Sequence, residues 1–428
     1  MCDSFIALAE VTLNGNVLLA KNSDREPDEA QAIARYSRKH HKEKNITCTY
    51  IEIPQVPETY ECILSKPFQM WGAEMGANEY GLVIGNETVF TKMKFEKHNN
   101  GLTGMDLLRL ALERCKNTDD AIACITSLLQ QYGQNASGGY KNKKFYYDNS
   151  FLIADPQQAW VLETAGKEWA AEKVKDIRSI SNTLSIGDAD QYSVHAKSFA
   201  QSKGWWKEGT SFNFQNTYSD WFYTRMGRGA VRQTCTTALS RERAGQLSAG
   251  DCIKILQSHN LDDAHFKPSK ANTGSVCMHA TSLLNPSNTT GSMVAEIRSG
   301  STHTIWLTGT AHPCLSIYLP FYFGTRVLND FTQPTASEDD SLWWRAEKIH
   351  RWISKDYQNR KLLINHERIQ IQNLFLEKES ELIKANASIQ SLESFSQECL
   401  RVMNECLLRW TNLMPQKNHR ALQRPDIR

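Results

Sequence analysis

The chain has a cysteine at its second position, and a β-hairpin pattern follows it. Two short apolar runs lie within residues 5–20, and an Asn-Gly pair stands between them. Such a pair between apolar runs predicts a tight hairpin. The two strands would be similar in length, so the returning strand is expected to bring Lys21, Asn22 and Asp24 close to Cys2.

Removal of Met1 would give Cys2 both a thiol and a free α-amine. The ordinary pKa of a thiol is about 8.5 and that of an α-amine about 7.7 to 8.0, so both groups titrate near neutrality. A thiol beside a terminal amine can carry out acyl transfer, because the amine accepts the thiol proton. The alternative is a strand cysteine behind a retained Met1, and the position of Cys2 alone does not decide between the two.

Composition narrows the class of protein. A chain of 428 residues exceeds the usual size of a single hydrophobic core, so an appendage or a second domain is expected. The net charge of +2 gives no general attraction to nucleic acid. No run approaches the 18 or so apolar residues that cross a bilayer, and the first residues lack the basic leader of a secretory signal. We expect a cytoplasmic protein without nucleic-acid or membrane partners.

The eleven cysteines include no Cys-x-x-Cys pair. This pattern is typical of reduced thiols in the cytosol and argues against a disulfide framework. Cys277 and His279 are only two residues apart, which does not match a common zinc spacing. His279 and His312 are expected to have structural rather than catalytic roles. The sequence predicts no metal and no organic cofactor.

The order of elements predicts sheets covered by helices. Helical periodicity is clear over residues 104–115 and 119–132, and residues 248–259 also read as a helix. The Gly- and aromatic-rich segment 203–232 shows little periodicity and is expected to be a loop. Strand patterns occur at 47–53, 60–64, 81–84, 150–154, 159–163, 177–180, 289–297 and 304–307.

The composition changes after Pro334, where apolar residues at helical spacing alternate with charges. We predict a main domain over residues 1–333, a helical region over 334–416 and a polar tail over 417–428. The helices are expected to pack on the main domain rather than form a free coiled coil, because no heptad register persists.

Several long blocks of sequence resemble the secernins. The resemblance is carried by Cys2-Asp3-Ser4-Phe5-Ile6-Ala7, Lys21-Asn22-Ser23-Asp24-Arg25, Cys48-Thr49-Tyr50-Ile51, Trp71-Gly72-Ala73-Glu74-Met75-Gly76-Ala77-Asn78-Glu79, Gly104-Met105-Asp106-Leu107, Ala159-Trp160-Val161-Leu162-Glu163-Thr164, Ser181-Asn182-Thr183-Leu184-Ser185-Ile186 and Gly204-Trp205-Trp206. It implies a cysteine dipeptidase of the N-terminal nucleophile (Ntn) hydrolase superfamily. The implied fold is α+β, a four-layer αββα sandwich of two antiparallel sheets between helices, here with a C-terminal helical appendage.

The resemblance also implies roles for particular residues. Cys2 matches the nucleophile, and Asp24 matches the carboxylate that holds the α-amine. Lys21 stands where related amidases carry an arginine, so the positive charge is kept but the planar fork is lost. Asn86 matches an oxyanion-hole amide, and Asn182 matches the asparagine that orients the amine and the substrate.

A distal arginine of the superfamily falls among Arg225, Arg228 and Arg232, and the spacing does not choose among them. We favour Arg228 or Arg232 as a bidentate ligand for a substrate carboxylate. The alternative is that these are ordinary surface arginines.

Together, these features predict a cysteine-type amide hydrolase, most simply a dipeptidase that forms an acyl-enzyme on Cys2. Its substrate would be a small peptide or an acyl amide, and a homo-oligomer is left open. Two alternatives remain: a non-catalytic, secernin-like regulator of secretion, and an amidase for non-peptide acyl amides.

Overall fold

The computed structural model of the protein describes residues 1–415. The predicted polar tail, 417–428, lies outside the described residues. The strands are, in chain order, β1 (Cys2–Ala7), β2 (Val17–Arg25), β3 (Gln31–Tyr36), β4 (Lys39–His40), β5 (Asn45–Thr47), β6 (Glu52–Pro54), β7 (Glu58–Thr59), β8 (Cys62–Pro67), β9 (Met75–Asn78), β10 (Val83–Val89), β11 (Asp148–Ala154), β12 (Ala159–Ala165), β13 (Glu168–Lys173), β14 (Ile177–Ile180), β15 (Gln191–Tyr192), β16 (Asn288–Ile297), β17 (Thr304–Leu307) and β18 (Leu319–Phe321).

The helices that the sequence predicts are present, and further helices lie within residues 196–241, where the sequence predicts none. The helices are α1 (Gly104–Arg114), α2 (Thr118–Tyr132), α3 (Ala196–Ser202), α4 (Phe214–Tyr218), α5 (Trp221–Gly227), α6 (Gly229–Arg241), α7 (Ala249–Leu256), α8 (Leu342–Ser354), α9 (Tyr357–Lys384) and α10 (Ile389–Asn412). Short 3₁₀ turns occur at Ala9–Val11, Pro268–Lys270, Pro313–Leu315 and Val327–Asp330.

Two antiparallel sheets form the centre of the fold. One has six strands in the order β14-β1-β2-β16-β17-β18, and the other has eight in the order β15-β13-β12-β11-β10-β9-β8-β3. Apolar side chains of both sheets share one core, for example Ile6 and Leu19 with Met75 and Leu152. The sheets are therefore stacked face to face.

Helices cover the outer faces of both sheets. A second core joins the eight-stranded sheet to α1 and α2 through residues such as Ile84, Phe151 and Leu108. Helices α6 and α7 contact the six-stranded sheet at β1, β14, β2 and β16. The result is the four-layer αββα arrangement of an α+β fold, as predicted.

The hairpin that positions Cys2 is confirmed. Strand β1 pairs with β2 so that Cys2 lies opposite Ser23 and Ser4 opposite Lys21. Gly15 has a φ of +66° in the turn, a conformation that favours glycine and explains the Asn-Gly pair. The hairpin therefore brings Ser23 and Lys21 to the end of the sheet at which Cys2 lies.

Some local predictions are wrong. Segment 47–53 forms two short paired strands, β5 and β6, rather than one strand. Segment 203–232 is not a loop throughout, because α4, α5 and the start of α6 lie within it. Most of α5 and α6 is polar or exposed, so their sequences carry little apolar periodicity.

The C-terminal helices pack on the main body. Helix α10 contacts α8, α9 and β18, and Ser396 on α10 donates a hydrogen bond to Pro320 O at 2.7 Å. Trp410 and Met403 belong to the same core as the six-stranded sheet. The prediction of packed helices is confirmed, and the domain boundary at residue 334 stays a prediction. Within residues 1–415, no helix combines the length and apolar character needed to cross a membrane.

Candidate active site

Cys2 lies at the buried start of β1 and is only 3% exposed. Its backbone N–H donates to Asn182 Oδ1 at 2.8 Å, and its Sγ accepts a hydrogen bond from the Asp24 backbone N–H at 3.3 Å. The ammonium group of Met1 donates to the Asp24 carbonyl oxygen at 3.0 Å. Both chemical groups of Cys2 are thus held by residues that the sequence analysis selected.

With Met1 in place, the pKa of the Cys2 thiol lies well above neutral pH. Burial raises the pKa of Cys2 to about 12, and the positive charge of Lys21 only partly opposes this shift. The expectation of a near-neutral thiol concerns the chain without Met1 and stays a prediction. A buried, protonated thiol is a poor nucleophile.

Lys21 is fully buried beneath the hairpin. Its Nζ lies 3.2 Å from Glu87 Oε1 and donates to Asn22 O at 3.4 Å, and Ser4 Oγ also donates to Glu87 at 2.5 Å. Burial lowers the pKa of Lys21, but Cys2, Glu87 and Glu74 outweigh it and raise that pKa above its ordinary value. Lys21 therefore stays charged between the sheets and favours a thiolate at Cys2.

Glu87 makes stability depend on pH. Burial raises its pKa from 4.5 to about 7, although Lys21 lowers it. The folded protein therefore binds more protons than the unfolded chain between these values, so this contribution to stability is complete below the unfolded pKa and is lost as pH rises through about 7. We expect the free energy of unfolding of the wild type, relative to Glu87→Gln, to fall by on the order of 3 kcal/mol over this range.

Urea titrations of both proteins at several pH values measure this difference. The comparison with Glu87→Gln cancels the other titrating groups, which change stability equally in the two proteins. Parallel pH profiles would show that Glu87 keeps an ordinary pKa in the folded state.

Only one of the two carboxylate oxygens of Asp24 forms a hydrogen bond with the described residues. Its Oδ1 accepts a hydrogen bond from Thr289 Oγ1 at 2.6 Å, whereas the buried Oδ2 has no hydrogen-bond partner among the described residues. Burial raises the pKa of Asp24 to about 7, although the nearby terminal ammonium group lowers it. A cation beside Oδ2 would offset this desolvation cost.

Arg232 is fully buried and uses every N–H donor it has. Its Nε donates to both Asp3 oxygens, at 3.1 and 2.9 Å. Nη1 donates to Gly227 O and Thr273 O, and Nη2 to Ser181 Oγ at 3.0 Å and Asn182 Oδ1 at 2.5 Å. No donor is left for a substrate carboxylate, so the predicted substrate-binding role of Arg232 is wrong. Arg232 instead positions Asn182 beside Cys2.

The other two arginines lie at the surface. Arg228 joins α5 to α6 with a φ of +49° and donates to Asn272 Oδ1 at 3.2 Å. Arg225 lies over the ring of Trp221, 5.6 Å from its centroid. Other N–H donors of Arg228 remain available. The predicted role of Arg228 as a ligand for a substrate carboxylate therefore stays a prediction.

Asn86 is buried, but its side chain is directed away from Lys21. Side chains alternate along β10, and Glu87 faces Lys21 while Asn86 faces Met105 of α1 and donates to Asn149 Oδ1 at 3.1 Å. With the amide in its flipped orientation, its nitrogen instead donates to the carbonyl and the carboxylate of Glu74, each at 3.2 Å. The described contacts of Asn86 include none with Cys2.

Four charged residues near the nucleophile were not selected from the sequence: Asp3, Arg25, Glu74 and Glu87. Asp3 pairs with Arg232, and Arg25 Nη1 lies 3.2 Å from Glu74 Oε1. No local pattern in the sequence marks these four residues as neighbours of Cys2. Their partners lie far away in the chain, so sequence alone could not pair them.

Two clefts lie away from Cys2. One of about 790 Å³ lies between α7 and α9, and one of about 820 Å³ lies beside β16 and the C-terminal end of α9. Cys2 lines neither of them. With Met1 in place, the thiol is closed off rather than presented in a cavity.

Comparisons with known proteins give one family match and several similar solved structures. A family model described as acyl-coenzyme A:6-aminopenicillanic acid acyl-transferase matches residues 12–150, less than half of the chain. The chain is similar to a mutant conjugated bile acid hydrolase from Clostridium perfringens, with 10% identity, 80% of this chain and 98% of that chain covered, and a TM-score of 0.45. It is also similar to penicillin V acylase from Agrobacterium tumefaciens, with 11% identity, 71% and 82% covered, and a TM-score of 0.40.

The observed architecture is a four-layer αββα sandwich. Two antiparallel sheets are stacked between helical layers, and Cys2 opens an interior strand of the six-stranded sheet. Strand β2, which carries Lys21 and Asp24, lies within the residues that the family model matches, whereas β1 with Cys2 precedes them. The chain therefore has the α+β fold that the sequence predicts, and a family model matches part of it.

Proposed function

We propose that the protein is a cysteine-type amide hydrolase whose nucleophile is Cys2 after removal of Met1. One observation carries the proposal: Asn182 Oδ1 accepts from the backbone nitrogen of Cys2, and the backbone N–H of Asp24 donates to its sulfur. Once Met1 is removed, that backbone nitrogen becomes the α-amine. The base would then already lie within hydrogen-bond distance of its orienting residue.

The free amine would have a ready counter-ion. Asp24 Oδ2 is buried without a hydrogen-bond partner among the described residues and could accept an N–H from the amine. Lys21 supplies a second positive charge that favours the thiolate. These groups would lower the pKa of the thiol from the value it has in the Met1-bearing chain.

The proposed reaction has two acyl-transfer steps. The Cys2 amine accepts the thiol proton while sulfur attacks the amide carbonyl, and the same proton passes to the departing amine as the C–N bond breaks. Water then hydrolyses the thioester and restores the thiol. No metal or organic cofactor takes part.

Two residue roles remain predictions within this scheme. Asn86 would act as an oxyanion donor only if its amide left Asn149 and turned towards the substrate. Arg228 could bind a substrate carboxylate, because it is exposed and its guanidinium donates a hydrogen bond to Asn272 Oδ1 at 3.2 Å that leaves other N–H donors available.

The proposal also concerns the class of substrate. The secernin resemblance favours a dipeptide, whereas the family match and the names of the similar structures favour acyl amides such as bile-acid and penicillin conjugates. Eleven free cysteines support a reducing compartment, and we therefore place the activity in the cytoplasm.

A non-catalytic regulator is the second candidate. The structure with Met1 in place favours it, because the Cys2 thiol is 3% exposed and burial raises its pKa to about 12. A chain that keeps Met1 would hold an unreactive thiol and would act through binding alone.

Intact mass and N-terminal peptide mapping, before and after treatment with a thiol-directed electrophile, test the proposal. We expect a chain without Met1 in which Cys2 is labelled ahead of the partly exposed Cys124 and Cys235. A panel of dipeptides and acyl amides then separates the two substrate classes. Retained Met1 with an unlabelled Cys2 would favour the regulator.

A further inference from the structure

Two cysteines and two histidines converge behind the active site, although they come from three separate segments. His259 follows α7, Cys277 and His279 lie on the irregular segment after it, and Cys314 lies in the 3₁₀ turn Pro313–Leu315. One ligand-type atom from each lies within 4.8 Å of all the others. We propose that these four side chains bind a structural zinc ion.

The spacing of the atoms fits tetrahedral zinc. His279 Nε2 lies 3.7 Å from Cys277 Sγ and 3.4 Å from Cys314 Sγ. Zn–S and Zn–N bonds of 2.3 and 2.0 to 2.1 Å give an S···N separation of about 3.6 Å in a tetrahedron. The other pairs lie within 4.8 Å, so their distances need to close by at most about 1.5 Å to reach bonding geometry.

A buried nitrogen aimed at the cluster gives independent support. The His259 side chain is only 1% exposed, and its Nε2 has no hydrogen-bond partner among the described residues. Its other nitrogen, Nδ1, lies 3.7 Å from Asp263 Oδ1, the arrangement in which a carboxylate orients a metal-binding histidine. Lys361 fixes that carboxylate through a 2.7 Å contact to the other oxygen.

The charge and the packing of these four side chains favour a bound zinc ion over a cluster without metal. Zinc with two thiolates and two neutral imidazoles has no net charge, so the buried site would avoid the cost of an uncompensated ion. The rings are held in place by stacking, His259 on Phe266 at 3.5 Å and His279 on His312 at 4.4 Å. Four protein ligands leave no open position, which is typical of a structural rather than a catalytic zinc.

The cluster is connected to the nucleophile through Thr289. Met278, between the two ligands, donates from its N–H to Thr289 Oγ1 at 2.8 Å and accepts from the Thr289 N–H at 3.0 Å. Thr289 Oγ1 in turn donates to Asp24. A metal at this cluster would therefore fix the segment that orients the active-site carboxylate.

The sequence predicts no metal, whereas the proposal places one at this cluster. The sequence does not reveal the cluster because its side chains come from separate segments of the chain. Cys277-x-His279 has no second pair beside it, and neither His259 nor Cys314 belongs to a recognisable spacing. The fold alone brings them together. The cleft of about 790 Å³ next to His259 offers a path for the metal.

Elemental analysis of the full chain, purified without chelator, tests the proposal directly. We expect about one zinc per chain, lost in the Cys277→Ser/Cys314→Ser variant. Cys115→Ser is the matched control, because Cys115 and Cys124 form a second thiol pair with no histidine beside it. That variant should keep its zinc.

Cobalt binding tests the site without any variant that could fail to fold. Wild-type protein is stripped of metal by a chelator and titrated with Co²⁺. We expect the visible bands of tetrahedral cobalt and thiolate charge-transfer absorption. The Co²⁺ concentration at the midpoint should rise at low pH, because protons compete for the thiols. Lack of both zinc and the cobalt spectrum would overturn the proposal. A Cys277–Cys314 disulfide in the non-reduced mass would overturn it as well.

Discussion

Replacing Cys2 by alanine is expected to lower amide hydrolysis by about 10⁴-fold or more. The substitution removes the sulfur that accepts a hydrogen bond from the Asp24 N–H, and it leaves the nitrogen that Asn182 holds as a free α-amine after Met1 is removed. Turnover of the best substrate from the dipeptide and acyl-amide panel measures the loss. Cys124→Ala is the control, because Cys124 is partly exposed on α2, in the outer helical layer.

A second variant separates the thiol from the amine. Inserting a glutamate between Met1 and Cys2 would block removal of the preceding residues, keep the thiol and convert its amine into an amide. We expect the same loss of turnover, because burial raises the pKa of the Cys2 thiol to about 12 and no base replaces the amine. Full activity in this variant would show that the amine is not the base, and full activity of Cys2→Ala would exclude Cys2 as the nucleophile.

Local sequence patterns were sufficient to predict the elements that carry the nucleophile. The Asn-Gly turn gave the β1–β2 hairpin and its register, and apolar periodicity gave α1 and α2 to within one or two residues. Both signals depend on neighbouring residues alone. The four-layer arrangement was implied by the resemblance and is confirmed by the two stacked sheets.

The parts that sequence could not supply depend on distant partners. Arg232 and Asp3 are 229 residues apart, and only the fold shows that this ion pair and four further hydrogen bonds use all the N–H donors of the arginine. The alternation of β10 also directs Asn86 away from Lys21, whereas its neighbour Glu87 faces Lys21. A resemblance can match a position in a strand without fixing the face on which its side chain lies.

Arg232→Met is expected to destabilise the fold by about 3 to 5 kcal/mol at neutral pH. The substitution leaves the Asp3 carboxylate buried without its partner, and burial already raises the pKa of Asp3 even with Arg232 present. Without the guanidinium, that pKa rises further, so the folded state prefers protonated Asp3. The deficit should therefore shrink at low pH and grow as pH rises through the raised pKa.

Urea unfolding across pH distinguishes this ion pair from an ordinary surface pair. Arg401→Met is the matched control, since Arg401 pairs with Glu398 and Glu405 at the surface and its loss should change stability little at any pH. The double variant Asp3→Asn/Arg232→Met removes both buried charges and should lose the pH-dependent part of the deficit. If Arg232→Met behaved like Arg401→Met, the buried network would contribute little to stability, and Asn182 would need another support to hold the Cys2 amine.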